Sequence, residues 1–173
     1  MARKNKTMII RNATIDYLNF SGKPNDYNAE GCRNFCLVLD DLDLVGKMIE
    51  DGWNMKPYKP SIDEDTKEAS QYYTQINVAY GSEWYPDPEI VYVSDGGRKQ
   101  NSIPEELIGD ADNIYFSKID LVIRLREYND KKTGEPRVKG YLQSMYAWIE
   151  EDDLKREYDN LRYGDEEVPF YED

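Results

Sequence analysis

The chain has no histidine. That removes the side chain most used as a general base, as a zinc ligand and as a switch near neutral pH. A Ser or Cys nucleophile would lack its usual imidazole partner. Cysteine is nearly absent as well, with only Cys32 and Cys36. On one strand the two would point the same way about 13 Å apart, too far for a disulfide. Two ligands without histidine make a poor metal site, and unpaired thiols fit a reducing cytosol. No run approaches the roughly 20 apolar residues of a membrane-spanning helix. The first six residues are basic but are not followed by the apolar stretch of a signal peptide, so none is expected. A Gly-rich phosphate loop ending in Lys-Ser or Lys-Thr is missing. Neither a cofactor nor a metal is expected.

Positive charge is scarce overall, with 22 Lys and Arg against 35 Asp and Glu in 173 residues, a net charge of -13. This excludes an indiscriminate nucleic-acid binder, because phosphate binding needs a basic surface. The deficit is local, however. Residues 150–173 hold eleven acids and three bases, and residues 40–69 hold nine acids and four bases. The rest of the chain is therefore neutral and can carry a basic groove. Aromatic residues are plentiful, and 15 of them are Tyr. A tyrosine ring has a flat apolar face and a polar tip, which suits a wet surface where bases stack.

The length fits one domain with a real core. Alternating and continuous apolar runs predict strands over 7–20 (long, with room for a bend), 33–40, 71–80, 89–94, 114–128 and 137–149. Leu44, Val45, Met48 and Ile49 predict a helix over 41–51 with Asp41 or Asp43 as cap and Gly52 at its end. A short helix is predicted over 103–108, and an exposed loop over 54–70. The expected fold is mainly β with short helices: an OB-fold-like barrel of five to six strands over 1–150. An acidic helix over 151–163 and a flexible acidic tail over 164–173 follow. Strand order is not readable, so a sandwich or another mixed sheet fits the same strand list.

Two surfaces are candidates for binding. In the last hairpin, Arg124, Arg126 and Tyr128 share one face of a strand. Arg137, Lys139, Tyr141 and Gln143 share a face of its partner, with Val138, Leu142, Tyr146 and Trp148 on the other. If the register aligns the polar faces, guanidiniums for phosphates stand beside rings for bases. Lys131 and Lys132 extend this set through the turn. The alternative is a solvated face with cross-strand ion pairs. The second surface is the first strand and its loop, with Arg11, Tyr17, Phe20, Lys23, Tyr27 and Arg33. Arg98 and Lys99 follow a Gly-Gly that lets backbone approach phosphate. Trp53, Trp84 and Trp148 read better as core or lid residues than as stacking platforms.

Enzyme chemistry finds little support. Asp40, Asp41 and Asp43 fit a helix N-terminus, where acids complement the dipole. Pro86-Asp87 matches the opening of a nuclease signature, but the acid-x-lysine expected downstream is missing. An acidic mimic of DNA that inhibits a host nucleic-acid-binding protein is a second reading of the charge.

Asp165, Glu166, Glu167, Val168, Pro169 and Phe170 form an acidic run ending in an apolar hook. This resembles the C-terminal tip with which single-stranded DNA-binding proteins recruit partners. Three residues follow Phe170, whereas the bacterial tip ends at its phenylalanine carboxylate. Five further runs are similar to phage-encoded single-stranded DNA-binding proteins. They begin at Asn19-Phe20-Ser21-Gly22-Lys23, Gly31-Cys32-Arg33-Asn34-Phe35-Cys36, Glu50-Asp51-Gly52-Trp53, Lys118-Ile119-Asp120-Leu121 and Gly140-Tyr141-Leu142-Gln143. The resemblance implies an oligonucleotide-binding barrel, without enzymatic activity, in phage replication or recombination. It implies single-stranded DNA as ligand, replication or recombination proteins as partners of the tail, and the host cytoplasm as location. Self-association into a homo-oligomer is compatible with it, and no membrane is involved.

Overall fold

The computed structural model describes residues 6–25 and 28–150. The domain limits expected at 151–163 and 164–173, and Tyr27, lie outside the described residues. The segment expected as one bent strand is two: β1 (Thr7–Ile10) and β2 (Thr14–Asn19). The break has a local cause. Asn12 adopts a left-handed backbone with φ +52°, a conformation that asparagine tolerates better than most residues. Ala13 then donates its N–H to the Ile119 carbonyl at 2.7 Å.

Strand β3 (Arg33–Leu39) is buried along nearly its whole length, as its continuous apolar run requires. Helix α1 (Leu42–Asp51) starts where the Asp41 carboxylate accepts the Leu44 N–H at 3.2 Å, and ends at Gly52 in a left-handed turn. A Cβ on Gly52 would stand 2.6 Å from the Pro136 carbonyl oxygen, so only glycine fits here. Two residues, Lys56–Pro57, form β4 against β5 (Tyr72–Val78). Next come β6 (Glu89–Ser94) and β7 (Lys99–Ser102), which form a hairpin across the Gly96-Gly97 turn. The helix expected at 103–108 is a 3₁₀ segment, Glu105–Asn113, with Ile108 and Ala111 fully buried. The two longest strands follow, β8 (Phe116–Asn129) and β9 (Pro136–Ile149).

The main hydrogen-bonded path runs β1-β8-β9-β5-β3-β2. All its neighbours are antiparallel except β5 and β9, which are parallel. The two ends of the path are the halves of one bent segment, so the sheet curls back on itself. Six strands joined in this way, the first two being halves of one segment, give the five-stranded oligonucleotide-binding architecture. Strand β6 joins the far half of β9 in parallel.

The interior is filled by Phe35, Leu37, Ile76, Leu121, Ile123, Leu142 and Met145, all at most 2% exposed. Trp53 belongs to this core, and its ring lies over Gly140, where a Cβ would meet it at 2.9 Å. Cys36 is buried and Cys32 exposed, both as free thiols, and burial pushes the Cys36 thiol up to about 11.

One expectation about β9 is corrected. Ile123 pairs with Leu142 and Val122 with Ser144, so Gln143 is an extra residue. Such a bulge reverses which side alternate residues face. Val138 and Leu142 remain core residues. Beyond the bulge Met145 and Ala147 take the core face, and the half-buried Tyr146 and Trp148 point away from it.

Candidate nucleic-acid interface

The register of β8 and β9 brings the polar sides of the hairpin together. Arg124 stands opposite Tyr141, Arg126 opposite Lys139 and Tyr128 opposite Arg137. The Lys139 ammonium sits 5.0 Å from the centre of the Tyr128 ring. Neighbouring β5 continues the surface, since Asn77 pairs with Tyr141 and its amide donates to the Gly140 carbonyl at 3.3 Å. A groove of about 460 Å³ runs here, lined by Gln75, Asn77, Tyr128, Arg137 and Lys139 among others. Backbone hydrogen bonds thus fix cations and rings on three adjacent strands.

Arg124 is the unusual member. It is only 8% exposed, although alternation placed it on a solvent face. Its guanidinium carbon lies 3.7 Å from the centre of the Tyr85 ring and 5.6 Å from that of Tyr141. It makes no ion pair among the described residues. Burial pulls its pKa below the ordinary arginine value, opposed by the two tyrosines, but a guanidinium stays charged at any physiological pH. A buried charge is normally paired. Here two ring faces stabilise the cation without neutralising it. The arrangement leaves a positive charge that an arriving anion can complete.

The other hairpin cations divide. Arg126 and Lys139 are exposed. Arg137 is bound to Glu135 at 3.2 Å and to Asp130 at 3.8 Å, so its charge is already answered. Lys131 and Lys132 are exposed in a turn that Asp130 organises, its carboxylate accepting the N–H groups of Lys132 and Thr133 at 2.8 and 3.3 Å. Those two bonds hold the Asp130 carboxyl below its usual range.

The first-strand surface does not assemble as expected. Phe20 is wholly buried and stacks on Phe35 at 5.4 Å, so it is a core residue. Arg33 is a clip: it donates to the Phe20 carbonyl at 2.9 Å, pairs with Glu105 at 2.7 Å and lies 5.5 Å from the centre of the Tyr80 ring. Arg11 and Lys23 are exposed in the loops on either side of β2. Exposed Arg98 and Lys99 lie at the far end of β9, because Lys99 pairs with Ser94 and the neighbouring Val93 with Trp148. At about 3.3 Å per residue, that end is some 30 Å from Lys139, so these two cations belong to another surface.

Tyr17 remains, with company that sequence did not indicate. Its ring makes edge-to-face contacts with Tyr58 at 6.1 Å and Tyr73 at 5.4 Å. The Tyr58 hydroxyl donates to Asp16, which pushes its own pKa up to about 12. Tyr17 carries a left-handed φ of +52° at the irregularity between Asp16 and Asn19. For an aromatic residue this conformation is an outlier, held in place by its surroundings. Tyr73 shares its side of β5 with Gln75 and Asn77, so the cluster lies on the same sheet face as the groove. Alternation within 71–80 puts Tyr73, Gln75 and Asn77 on the side opposite the buried Thr74, Ile76 and Val78. Nothing local announced Tyr58 or Tyr85, which sit in loops. Among the described residues no group of acids and cysteines could hold a metal ion, and no helix is long and apolar enough to cross a membrane.

Barrel and outer face together define the class of oligonucleotide-binding barrels, whose strands and loops offer one open side to a ligand. The chain belongs to the family described as "Putative phage ssDNA-binding domain", which matches residues 1–171. Among solved structures it is similar to the single-stranded DNA-binding protein from bacteriophage Enc34 in C-terminally truncated form. Identity there is 12%, coverage 83% of this chain and 85% of that one, and the TM-score 0.50. It also matches the Enc34 protein in complex with ssDNA, at 10% identity, TM-score 0.49 and coverage of 82% and 85%. A further match is gp2.5, a single-stranded DNA-binding protein of bacteriophage T7, at 13% identity, TM-score 0.43 and coverage of 88% and 94%. The likeness to the truncated Enc34 protein speaks for the fold. No curated protein matches the sequence.

Proposed function

We propose that this phage protein coats single-stranded DNA during replication or recombination, and that the strand lies across the outer face of β8, β9 and β5. The observation that carries this is Arg124, a buried cation with rings on it and, among the described residues, no carboxylate paired with it. A phosphate completes its charge. Arg126 and Lys139 hold neighbouring phosphates, with Lys131 and Lys132 at the end of the track. Tyr128 and Tyr141 offer ring faces to bases. Stacking is tolerant of sequence because every base has a π-face. Binding without base-edge readout is what coating a strand requires. The role is one of holding and assigns no bond-making step to any residue.

The acidic segment Asp165 to Phe170 recruits replication or recombination proteins. Its support is the sequence: acids that keep the segment away from DNA, and a Val-Pro-Phe hook whose proline favours an extended shape. The body holds DNA and the tail holds proteins.

A fluorescence titration with oligo-dT, at two salt concentrations and with a duplex of equal length beside it, tests the binding. Single strands bind in preference to duplex, and affinity falls steeply with salt. Equal affinity for both, or no binding at low salt, contradicts the proposal.

A further inference from the structure

The loop between β5 and β6 presents Trp84 to solvent at 84% exposure. Sequence placed this residue in the core or a lid, and its exposure rules out the core. A ring of this size left in water forgoes a large burial energy, so its setting matters. The loop around it is built rather than slack. The N–H groups of Trp84 and Tyr85 both donate to Ser82 Oγ, at 3.1 and 3.3 Å. Gly81 donates its N–H to the Asp87 carboxylate at 2.8 Å, closing the turn from the other side. Pro86 and Pro88 restrict the backbone of the second half. The next residue, Tyr85, is clamped on the Arg124 guanidinium. The exposed indole is therefore carried on a loop whose next residue rests on the cation that faces the proposed strand. Adjacent Cα atoms are about 3.8 Å apart, so the backbone that carries the indole is one residue step from the Tyr85 clamp.

We infer that loop 81–88 is a stacking arm: Trp84 takes the base of the nucleotide whose phosphate sits at Arg124, and the Tyr85–Arg124 clamp sets the arm's position. This rests on the strand lying across β8 and β9. It adds a residue and a mode of contact to that interface: a base held between a loop ring and the sheet. A single strand suits the arm because its bases are free to leave the stack, whereas a duplex keeps them paired. Tyr115 is a natural control. It is also highly exposed, at 74%, but precedes β8 by one residue, some 30 Å along the strand from Arg124.

The test compares Trp84→Ala, Trp84→Phe and Tyr115→Ala with the full-length protein, using oligo-dT and an abasic oligomer of equal length. W84A weakens oligo-dT binding about ten-fold, whereas W84F stays within about three-fold, because a ring remains to stack. Y115A binds as the parent does. The salt dependence is the same in all four, since no charge is removed. W84F also loses most of the indole quenching that oligo-dT causes, because Trp53 is buried and Trp148 is half-buried under Lys118. The abasic oligomer binds W84A and the parent equally. Should W84A bind oligo-dT as tightly as the parent, Trp84 serves a protein partner or no partner, and the stacking arm is wrong while the interface stands. A parent that fails to bind oligo-dT removes the interface itself, and the arm with it.

Discussion

Arg124 and Arg33 sit on strands of the same barrel and use the same side chain in opposite ways. Arg33 has a carboxylate, a carbonyl and a ring around it, and together they answer its charge and occupy two of its donors. Arg124 has two rings and, among the described residues, no carboxylate paired with it. Aromatic faces position and shield a cation while leaving its charge to act on the next anion. The lesson is that an arginine's role is set by what answers its charge more than by its exposure. Arg33 joins the first loop to the 3₁₀ segment. Arg124 holds an open charge on a preorganised face, where side-chain ordering before binding reduces its cost.

The largest expected effect breaks this comparison at the hairpin. Arg124→Ala combined with Arg126→Ala lowers oligo-dT affinity about a hundred-fold, taking roughly 1.5 kcal/mol for each lost charge-assisted hydrogen bond. The slope of log affinity against log salt becomes shallower by about 1.4, since each phosphate contact on a single strand contributes about 0.7. Titration at three salt concentrations reads both quantities. Arg33→Ala is the opposite case. It leaves affinity within about two-fold and costs about 1–2 kcal/mol of stability, seen as a melting temperature lower by about 3–6 °C. If R33A loses DNA binding and keeps its melting temperature, the assignment of the two arginines is reversed.

The hairpin face was legible because strands alternate with period two and the register kept both polar sides together. Its limits were set by contacts that no local pattern encodes. Gln143 is one extra residue in a regular alternation, and it moves Tyr146 and Trp148 to the other side. Phe20 was misplaced because the preceding strand changes direction at Asn12 and Tyr17, both left-handed. The burial of Arg124 depends on Tyr85, far away in the chain and in a loop. That pairing is a tertiary fact. The helix over 41–51 was legible throughout, since cap, stripe and terminal glycine are all local signals.

A smaller effect concerns the tail. Deleting residues 164–173 removes five acids from the field over a surface that must attract phosphate. Oligo-dT affinity rises by a few-fold or stays level, more so at low salt where screening is weak. Capture of a phage or host polymerase falls at the same time, read by pull-down with both proteins side by side. Loss of DNA binding with partner capture intact would reverse the division between body and tail.

The smallest effect is at the hairpin tip. The folded Asp130 carboxyl titrates below its ordinary value because two backbone N–H groups favour the ionised form. Its contribution is therefore present above the unfolded pKa, near 3.8, and is lost as pH falls through the lower folded value. The amides of Lys132 and Thr133 lose protection from exchange in that acid window. In Asp130→Ala they are unprotected at every pH, and the body of the barrel is unaffected. Unchanged protection once the pH has fallen through the folded value would show that other contacts hold the turn.

The most direct measurement follows the Nε–Hε resonances of Arg124 and Arg33 by NMR as oligo-dT is added. The Arg124 signal moves on binding, because a phosphate joins its guanidinium, and the Arg33 signal stays in place, because Glu105 and the Phe20 carbonyl already occupy it. Movement of Arg33 with Arg124 unchanged would contradict the central claim that the open charge on β8 is where the strand binds.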